Sequence, residues 1–155
     1  MIRYSAVDGV KIIVADNASS DDSVPFIHKT APAVEVIQLD RNYGFAGGYN
    51  RSLNQIESDY FVLLNSDVKV TEGWLEPLLR RMDSDYLVGA CMPKIRAYSQ
   101  PEFFEYAGAA GGFIDKFGYT FCQGRIFEHV EKDNGQYDDE TDIFWASGAC
   151  MTVRA

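Results

Sequence analysis

Tyr60-Phe-Val-Leu-Leu-Asn65-Ser-Asp67-Val68 is an apolar run of strand length that stops at a polar triplet holding one carboxylate. Aromatic and aliphatic residues in a run too short for a helix read as a strand buried on both faces. In open α/β sheets, ligands bind beyond the carboxyl ends of such strands. Asp67 stands at that end, where a carboxylate can hold a divalent cation against a ligand's phosphates. The alternative for Asp67 is a turn or helix-cap role, which Asp fills often.

The flanking sequence repeats the pattern. Residues 10–15, Val-Lys-Ile-Ile-Val-Ala, read as a strand closed by Asp16-Asn-Ala-Ser-Ser-Asp21. Asn and Ser there favour a turn and then a helix over 22–29, with Pro25 tolerable in its first turn. Residues 34–39 alternate as a strand, and 41–48 form a glycine-rich connector. After it Tyr49, Leu53 and Ile56 recur at helical steps. Downstream, Trp74, Leu75, Leu78, Leu79 and Met82 give a helix over 72–82 an apolar face. Residues 86–92 follow as a strand stopped by Pro93. This alternation predicts an α/β three-layer sandwich with a mostly parallel central sheet in a single domain over 1–155.

Beyond residue 93 the alternation ends. Residues 108–125 have the Gly-rich, aromatic composition of turns and short antiparallel strands, 128–142 read as an acidic, mobile surface loop, and 144–153 return to a buried, strand-like pattern. Tyr98, Phe103, Phe104, Tyr106, Phe113, Phe117, Tyr119 and Phe121 fit a core, or a set of rings on which sugars stack.

At 155 residues the chain is long enough for one domain that buries about 68–70% of its unfolded surface. Its 46% hydrophobic and 24% charged residues exclude wholesale disorder. A formal net charge of -9 excludes a nucleic-acid partner, which needs a basic stripe. Cys91, Cys122 and Cys150 are odd in number and widely spaced, and His28 and His129 lack metal-ligand spacing. The thiols are therefore expected to be reduced, not paired or zinc-bound. Without a long apolar segment or signal peptide, the default setting is cytoplasmic, extending to the inner face of the membrane.

Three polar points close three successive strands: Asp16-Asn17, Asp40-Arg41-Asn42 and Asn65-Ser66-Asp67. In a parallel sheet all three share one edge. A carboxylate at the first can accept hydrogen bonds from a nucleobase or ribose, or simply be a solvated turn residue. The Gly44, Gly47 and Gly48 cluster allows backbone to approach a ligand and opens a helix whose N–H groups favour anions, though close packing explains it equally well. Its spacing is not Gly-x-Gly-x-x-Gly, and no phosphate-loop Gly-Lys-Ser/Thr occurs.

Asp16-Asn-Ala-Ser-Ser-Asp21, Arg41-Asn-Tyr-Gly-Phe-Ala-Gly-Gly-Tyr-Asn50 and Leu63-Leu-Asn-Ser-Asp67 together resemble the nucleotide-sugar half of inverting GT-A glycosyltransferases of family 2. Gly73-Trp74, residues 89–94 and Trp145-Ala-Ser-Gly-Ala-Cys-Met-Thr-Val-Arg154 continue the likeness, which is strongest to the rhamnosyltransferase-like branch. The resemblance implies a nucleotide-diphospho-sugar transferase fold, incomplete in this chain, and transfer of a sugar from a nucleotide-diphosphate donor to a saccharide or lipid-linked hydroxyl, in polysaccharide or cell-surface glycan synthesis. It assigns Asp16 to the base or ribose, Asn17, Asn42, Gly44 and Asn50 to the nucleotide pocket, and Asn65 and Ser66 to the donor. Asp67 matches the last acid of the family's Asp-x-Asp element, which holds Mg²⁺ or Mn²⁺ on the diphosphate. Gly148, with Ala149, matches the loop beside the donor sugar.

Departures from the pattern shape the expectation. Asn65 replaces the first acid of the triplet, which implies looser metal binding. A first strand and long helix that precede the equivalent of residues 9–16 have no counterpart in residues 1–8. The catalytic base, an acid of a Glu-Asp pair, follows the equivalent of Arg154, so the expectation is a chain truncated at both ends with its base beyond Ala155. The alternative is an inactive fragment that only binds nucleotide sugars or a partner, with self-association through exposed apolar surface. A sugar-phosphate nucleotidyltransferase is disfavoured because its glycine-rich, basic opening is missing.

Overall fold

The computed structural model describes residues 2–106 and 109–155; Gly108, which opens the expected turn-rich segment, lies outside them. The chain divides into two compact units, one over Ile2–Ser58 and one over Asp59–Ala155.

The first unit begins with a 3-10 turn at Ile2–Tyr4 and continues with β1 (Ile13–Asp16), α1 (Ser23–Thr30), β2 (Glu35–Gln38) and α2 (Gly44–Leu53). β1 and β2 pair in parallel from Ile13↔Glu35 to Asp16↔Gln38. α1 supplies the crossover that a parallel pair requires. The carboxyl ends of the two strands thus lie side by side, and Leu39 N donates to Asp16 O at 2.9 Å to extend the ladder. Ile37 is the buried apolar anchor of β2. α2 starts at Gly44, so the glycine cluster is the helix's first turns and not a connector before Tyr49. The cause is local. Asn17 Oδ1 accepts Tyr43 N at 2.9 Å and Asn42 Oδ1 accepts Gly44 N at 2.8 Å. Side chains thereby satisfy amides that a helix start leaves without partners. Ile56 falls beyond the helix, in a turn where its N–H meets Leu53 O.

The second unit holds β3 (Tyr60–Leu64), α3 (Leu75–Ser84), β4 (Ala90–Cys91), β5 (Gly112–Ile114), β6 (Thr120–Cys122), β7 (Arg125–Ile126), β8 (His129–Val130) and β9 (Cys150–Arg154). Its first sheet has the order β3-β9-β4, both pairings antiparallel. β3 and β4 therefore run the same way, as the β-α-β pattern requires, but β9 lies between them. A mostly parallel central sheet is thus not what the described residues form: one parallel pair, a three-stranded antiparallel sheet and a four-stranded antiparallel meander β5-β6-β7-β8. Alternation fixes strand direction, whereas neighbours are chosen by whichever apolar strand fits the gap.

Other expectations shift with this sheet. β3 is half-buried at every position and not buried on both faces. α3 starts only at Leu75, because Gly73 adopts φ 70°, outside the helical region; Leu75, Leu78 and Met82 are its buried face. The strand expected over 86–92 shrinks to Ala90–Cys91. Asp85 instead nucleates a turn, accepting Leu87 N through Oδ1 and Val88 N through its carbonyl. Tyr86 and Leu87 are left exposed.

Arg154 ties the three-stranded sheet to α3. Its Nη2 donates to Met82 O at 2.7 Å and Asp85 O at 3.2 Å, Nη1 to the Tyr60 hydroxyl, and Nε to Val88 O. A cation on the last carbonyls of a helix satisfies them and complements the helix dipole.

The eight aromatic residues are not the core expected of them. Phe104 is buried and Phe103 and Phe113 are partly so. Tyr98, Tyr106, Phe117, Tyr119 and Phe121 are exposed. Phe117 and Tyr119 lie in the 115–119 loop between β5 and β6, and Tyr98 and Tyr106 lie in irregular chain before β5, where no packed face covers them. Residues 128–142 are likewise more than a loop: β8 lies within them, and Lys94 bonds both Asp133, at 2.9 Å, and Asp138. Tyr137 donates to Glu131 at 3.0 Å. The three cysteines are free thiols, and burial pushes Cys150 up to about 11, away from reactive thiolate. Among the described residues no helix is long and apolar enough to cross a membrane.

Candidate functional site

In the first unit the parallel pairing sets the ends of β1 and β2 together, and a small polar knot forms between them. Asp16, the last residue of β1, is 6% exposed. Both of its carboxylate oxygens accept from Ser19 N, at 3.2 and 3.3 Å, across a turn in which Ala18 takes φ 61°. A buried carboxylate ordinarily has a cationic partner, yet among the described residues Asp16 has none. It is therefore no solvated turn residue, and it keeps lone pairs for another donor.

Asn17 is bound up within the knot. Its Nδ2 donates to Asn42 Oδ1 at 3.1 Å and to Gly44 O at 3.0 Å. Gly48 makes this possible: a Cβ there would lie 3.0 Å from Asn17 Nδ2. The structure thus brings Asp16, Asn17, Asn42 and Gly44 together, with Asn17 holding the other two. Asn50 lies further along α2, exposed, its side chain unbonded among the described residues. Asp40 accepts from the Tyr43 hydroxyl at 2.8 Å, and that hydrogen bond holds its carboxyl below the usual range.

In the second unit, Asn65-Ser66-Asp67 follows β3 as a turn closed by Val68 N to Asn65 O at 3.2 Å. Asp67 thus occupies a turn, as one alternative held, but its exposed carboxylate makes no hydrogen bond among the described residues and is not spent on that turn. α3 begins too far on for Asp67 to be its cap. Asn65 N donates to Ala149 O at 3.0 Å, so the triplet lies against the turn that carries Gly148. Ser147 Oγ in that turn accepts Ala149 N at 3.2 Å.

Among the described residues no group of three or more His, Cys, Asp or Glu side chains could cage a metal ion. The donors at hand are hard oxygens, chiefly the Asp67 carboxylate with the Asn65 amide near it in sequence. Such a set suits Mg²⁺ or Mn²⁺ only as a shared site, completed by substrate phosphates and water, which is the usual manner for Mg²⁺.

Beside Gly148 the same unit contains a feature that sequence reasoning missed. A cleft of about 430 Å³ is lined by Tyr106, Arg125, Phe127, Trp145 and the turn over 146–148. Trp145 is locked in place. Its Nε1 donates to Phe113 O at 3.2 Å, and its ring lies over Gly112, where a Cβ would come within 2.1 Å. Arg125 lies over the Tyr106 ring, its Cζ 4.5 Å from the centroid, and its Nε donates to Phe127 O at 2.9 Å. No local motif marks Arg125 or Phe127, and nothing in the sequence joins them to Tyr106 or to the Trp145–Gly148 motif; they are gathered by the hairpin β7–β8 and by Trp145 bridging to Gly112.

Comparison with known proteins supports the family resemblance. The family model described as glycosyl transferase family 2 matches residues 5–150. The chain is also similar to the N-acetylglucosaminyl-diphospho-decaprenol L-rhamnosyltransferases of two strains of Mycobacterium tuberculosis. Each is 24% identical over 163 aligned positions that cover 94% of this chain and 52% of the relative. The chain thus spans about half the length of the curated relatives it matches.

Proposed function

The chain belongs to glycosyl transferase family 2, and we propose that it forms the donor-binding part of an enzyme that moves a sugar, by inversion, from a nucleotide diphosphate to a hydroxyl acceptor. The observation that carries this reading is the Asn65–Ala149 hydrogen bond. It sets an otherwise unengaged Asp67 turn against the Gly148 turn, a carboxylate for the diphosphate beside a loop for the sugar.

In this reading Asp16 accepts hydrogen bonds from the ribose or base, and Asn42 and Gly44 line the nucleotide pocket with Asn17 holding their geometry. Asn50 approaches the pocket from α2. Asp67 would hold Mg²⁺ or Mn²⁺, and Asn65 and Ser66 offer neutral hydrogen bonds to the donor diphosphate. When bound, such a cation would supply charge neutralisation for the leaving diphosphate. Gly148 leaves room for the sugar ring. The acceptor oxygen attacks the anomeric carbon from the face opposite the leaving group. The C–O bond to the nucleotide breaks, and the hydroxyl proton passes to a base that the resemblance sets after the equivalent of Arg154. By likeness to the rhamnosyltransferases, the donor sugar is a deoxyhexose such as rhamnose, and the acceptor a diphosphate-linked saccharide on a lipid.

Calorimetry with nucleoside diphosphates and Mn²⁺ tests the donor site. Metal-dependent binding that weakens at least about tenfold in Asp67→Ala supports it, one charge-assisted contact being that large. Equal binding by both proteins, or none by either, overturns it.

A further inference from the structure

Arg125 differs from the basic residues that are used internally. Among the described residues it has no carboxylate within ion-pairing distance, in a chain where 23 acidic residues outnumber 14 basic ones. It is nonetheless fixed. The Tyr106 ring supports one face of the guanidinium, and Nε is spent on Phe127 O. What remains is the Nη1–Nη2 end, the fork that grips phosphate or carboxylate with two parallel hydrogen bonds.

The carbonyl that fixes Nε is itself held at a cost. Phe127 adopts φ 51° as the first residue of the two-residue turn between β7 and β8. That turn type demands a positive φ there, and glycine is the usual occupant. A bulky residue in this conformation is strained. Its ring is 87% exposed, so burial returns nothing. Strain without a packing reward, at the rim of a cleft, points to use.

The remaining walls suit a sugar. Trp145 and Tyr106 present rings on which the apolar C–H face of a pyranose can be sheltered from water. The volume, about 430 Å³, lies within the range of small-molecule sites.

We propose that this cleft is a subsite for a phosphorylated saccharide, in which Arg125 grips the phosphate and the rings of Trp145 and Tyr106 cover the sugar. The proposal rests on the transfer reading above, since Gly148 belongs to both surfaces. The phosphate has two possible sources, the donor's own diphosphate or a phosphate-linked acceptor.

The test is calorimetry on the whole chain with a hexose 1-phosphate, its methyl hexoside and inorganic phosphate. The expected order is hexose 1-phosphate tighter than either other probe by at least about tenfold, because only it engages both the fork and the rings. Arg125→Gln removes that preference while thermal unfolding stays put, and Arg125→Lys restores part of it. Displacement of the hexose phosphate by a nucleotide sugar assigns the subsite to the donor; simultaneous binding assigns it to the acceptor. Undiminished binding in Arg125→Gln, or no binding at about 10 mM, overturns the proposal. If hexose phosphate binds through Arg125 but nucleoside diphosphate with Mn²⁺ does not bind, the subsite stands and the transfer reading falls.

Discussion

Two arginines in the second unit show how one side chain serves two ends. Arg154 sits on β9 and spends Nε, Nη1 and Nη2 on three backbone carbonyls and one hydroxyl, stitching β9 to the end of α3. Arg125 sits on β7, spends Nε alone and keeps its Nη1–Nη2 fork unspent among the described residues, in a residue that lines a cleft. Both lie over a tyrosine ring, at 5.1 and 4.5 Å, so stacking does not distinguish them. What does is how many backbone carbonyls are within reach. The end of α3 and the turn after it provide three; the β7–β8 hairpin provides one, Phe127 O.

The largest effect should come from breaking the first of these regions. Arg154→Met leaves Met82 and Asp85 carbonyls without their charged donor, and should cost about 3 kcal/mol of stability in chemical denaturation. Arg125→Gln, by contrast, should stay within about 0.5 kcal/mol of wild type. Comparable losses in the two variants would show that Arg125 is structural after all, and the contrast would collapse.

Next is the wall of the cleft. Gly112→Ala puts a methyl within 2.1 Å of the Trp145 ring, so the indole must move and its bond to Phe113 O must break. Overpacking of this kind costs about 1–3 kcal/mol, and the near-ultraviolet circular dichroism of Trp145 should change with it. An unaltered tryptophan signal would mean that the ring has somewhere else to go, and that the cleft is softer than its hydrogen bonds suggest.

The Lys94–Asp133–Asp138 cluster supplies a smaller, pH-dependent effect. The Lys94 ammonium holds the Asp133 carboxyl below its usual range. Burial works against the charge on Lys94, but hydrogen bonds from it to Asp138 and Asp133 outweigh that and raise its pKa. The lowered acid stabilises the fold above its unfolded value near 3.8 and loses that contribution as pH falls through the folded value. The raised base stabilises below its unfolded value near 10.5 and loses it as pH rises through the folded value. Lys94→Met should therefore cost about 2 kcal/mol at neutral pH, discounted from a fully buried pair because Lys94 is partly exposed. The cost should hold between these limits and shrink in acid. A cost that grew in acid would reverse the sign and remove the ion pair as its cause.

How much of this was legible beforehand depends on the range of the interactions involved. β3, α1, β2 and the Asn65–Asp67 turn follow from local periodicity and turn chemistry, and the family resemblance rests on motifs of that kind. The insertion of β9 between β3 and β4 could not be read, because no local signal says which distant strand will fill a gap. Nor could the role of Asn17. It looked like a ligand contact at a strand end, and its amide turns out to hold Asn42 and Gly44, which only the meeting of β1 with α2 reveals. Arg125 carried no signal at all: an Arg on a short strand becomes informative only once its missing carboxylate is seen.

The smallest effect probes the strain that aims Arg125. Phe127→Gly relieves about 1–2 kcal/mol of left-handed backbone strain and surrenders almost no burial, because the ring is already in water. Against that, glycine costs about 0.5–1 kcal/mol in unfolded-chain entropy. The net expectation is a gain of up to about 1.5 kcal/mol, a rise in melting temperature of at most about 3–6 °C for a chain of this size. Binding of a hexose 1-phosphate should weaken a few-fold, since a freer turn no longer fixes the Phe127 carbonyl under Arg125 Nε. Higher stability with weaker binding would tie the strain to the cleft. Lower stability would mean that the Phe127 ring, exposed as it is, is worth more to the folded chain than its backbone strain costs.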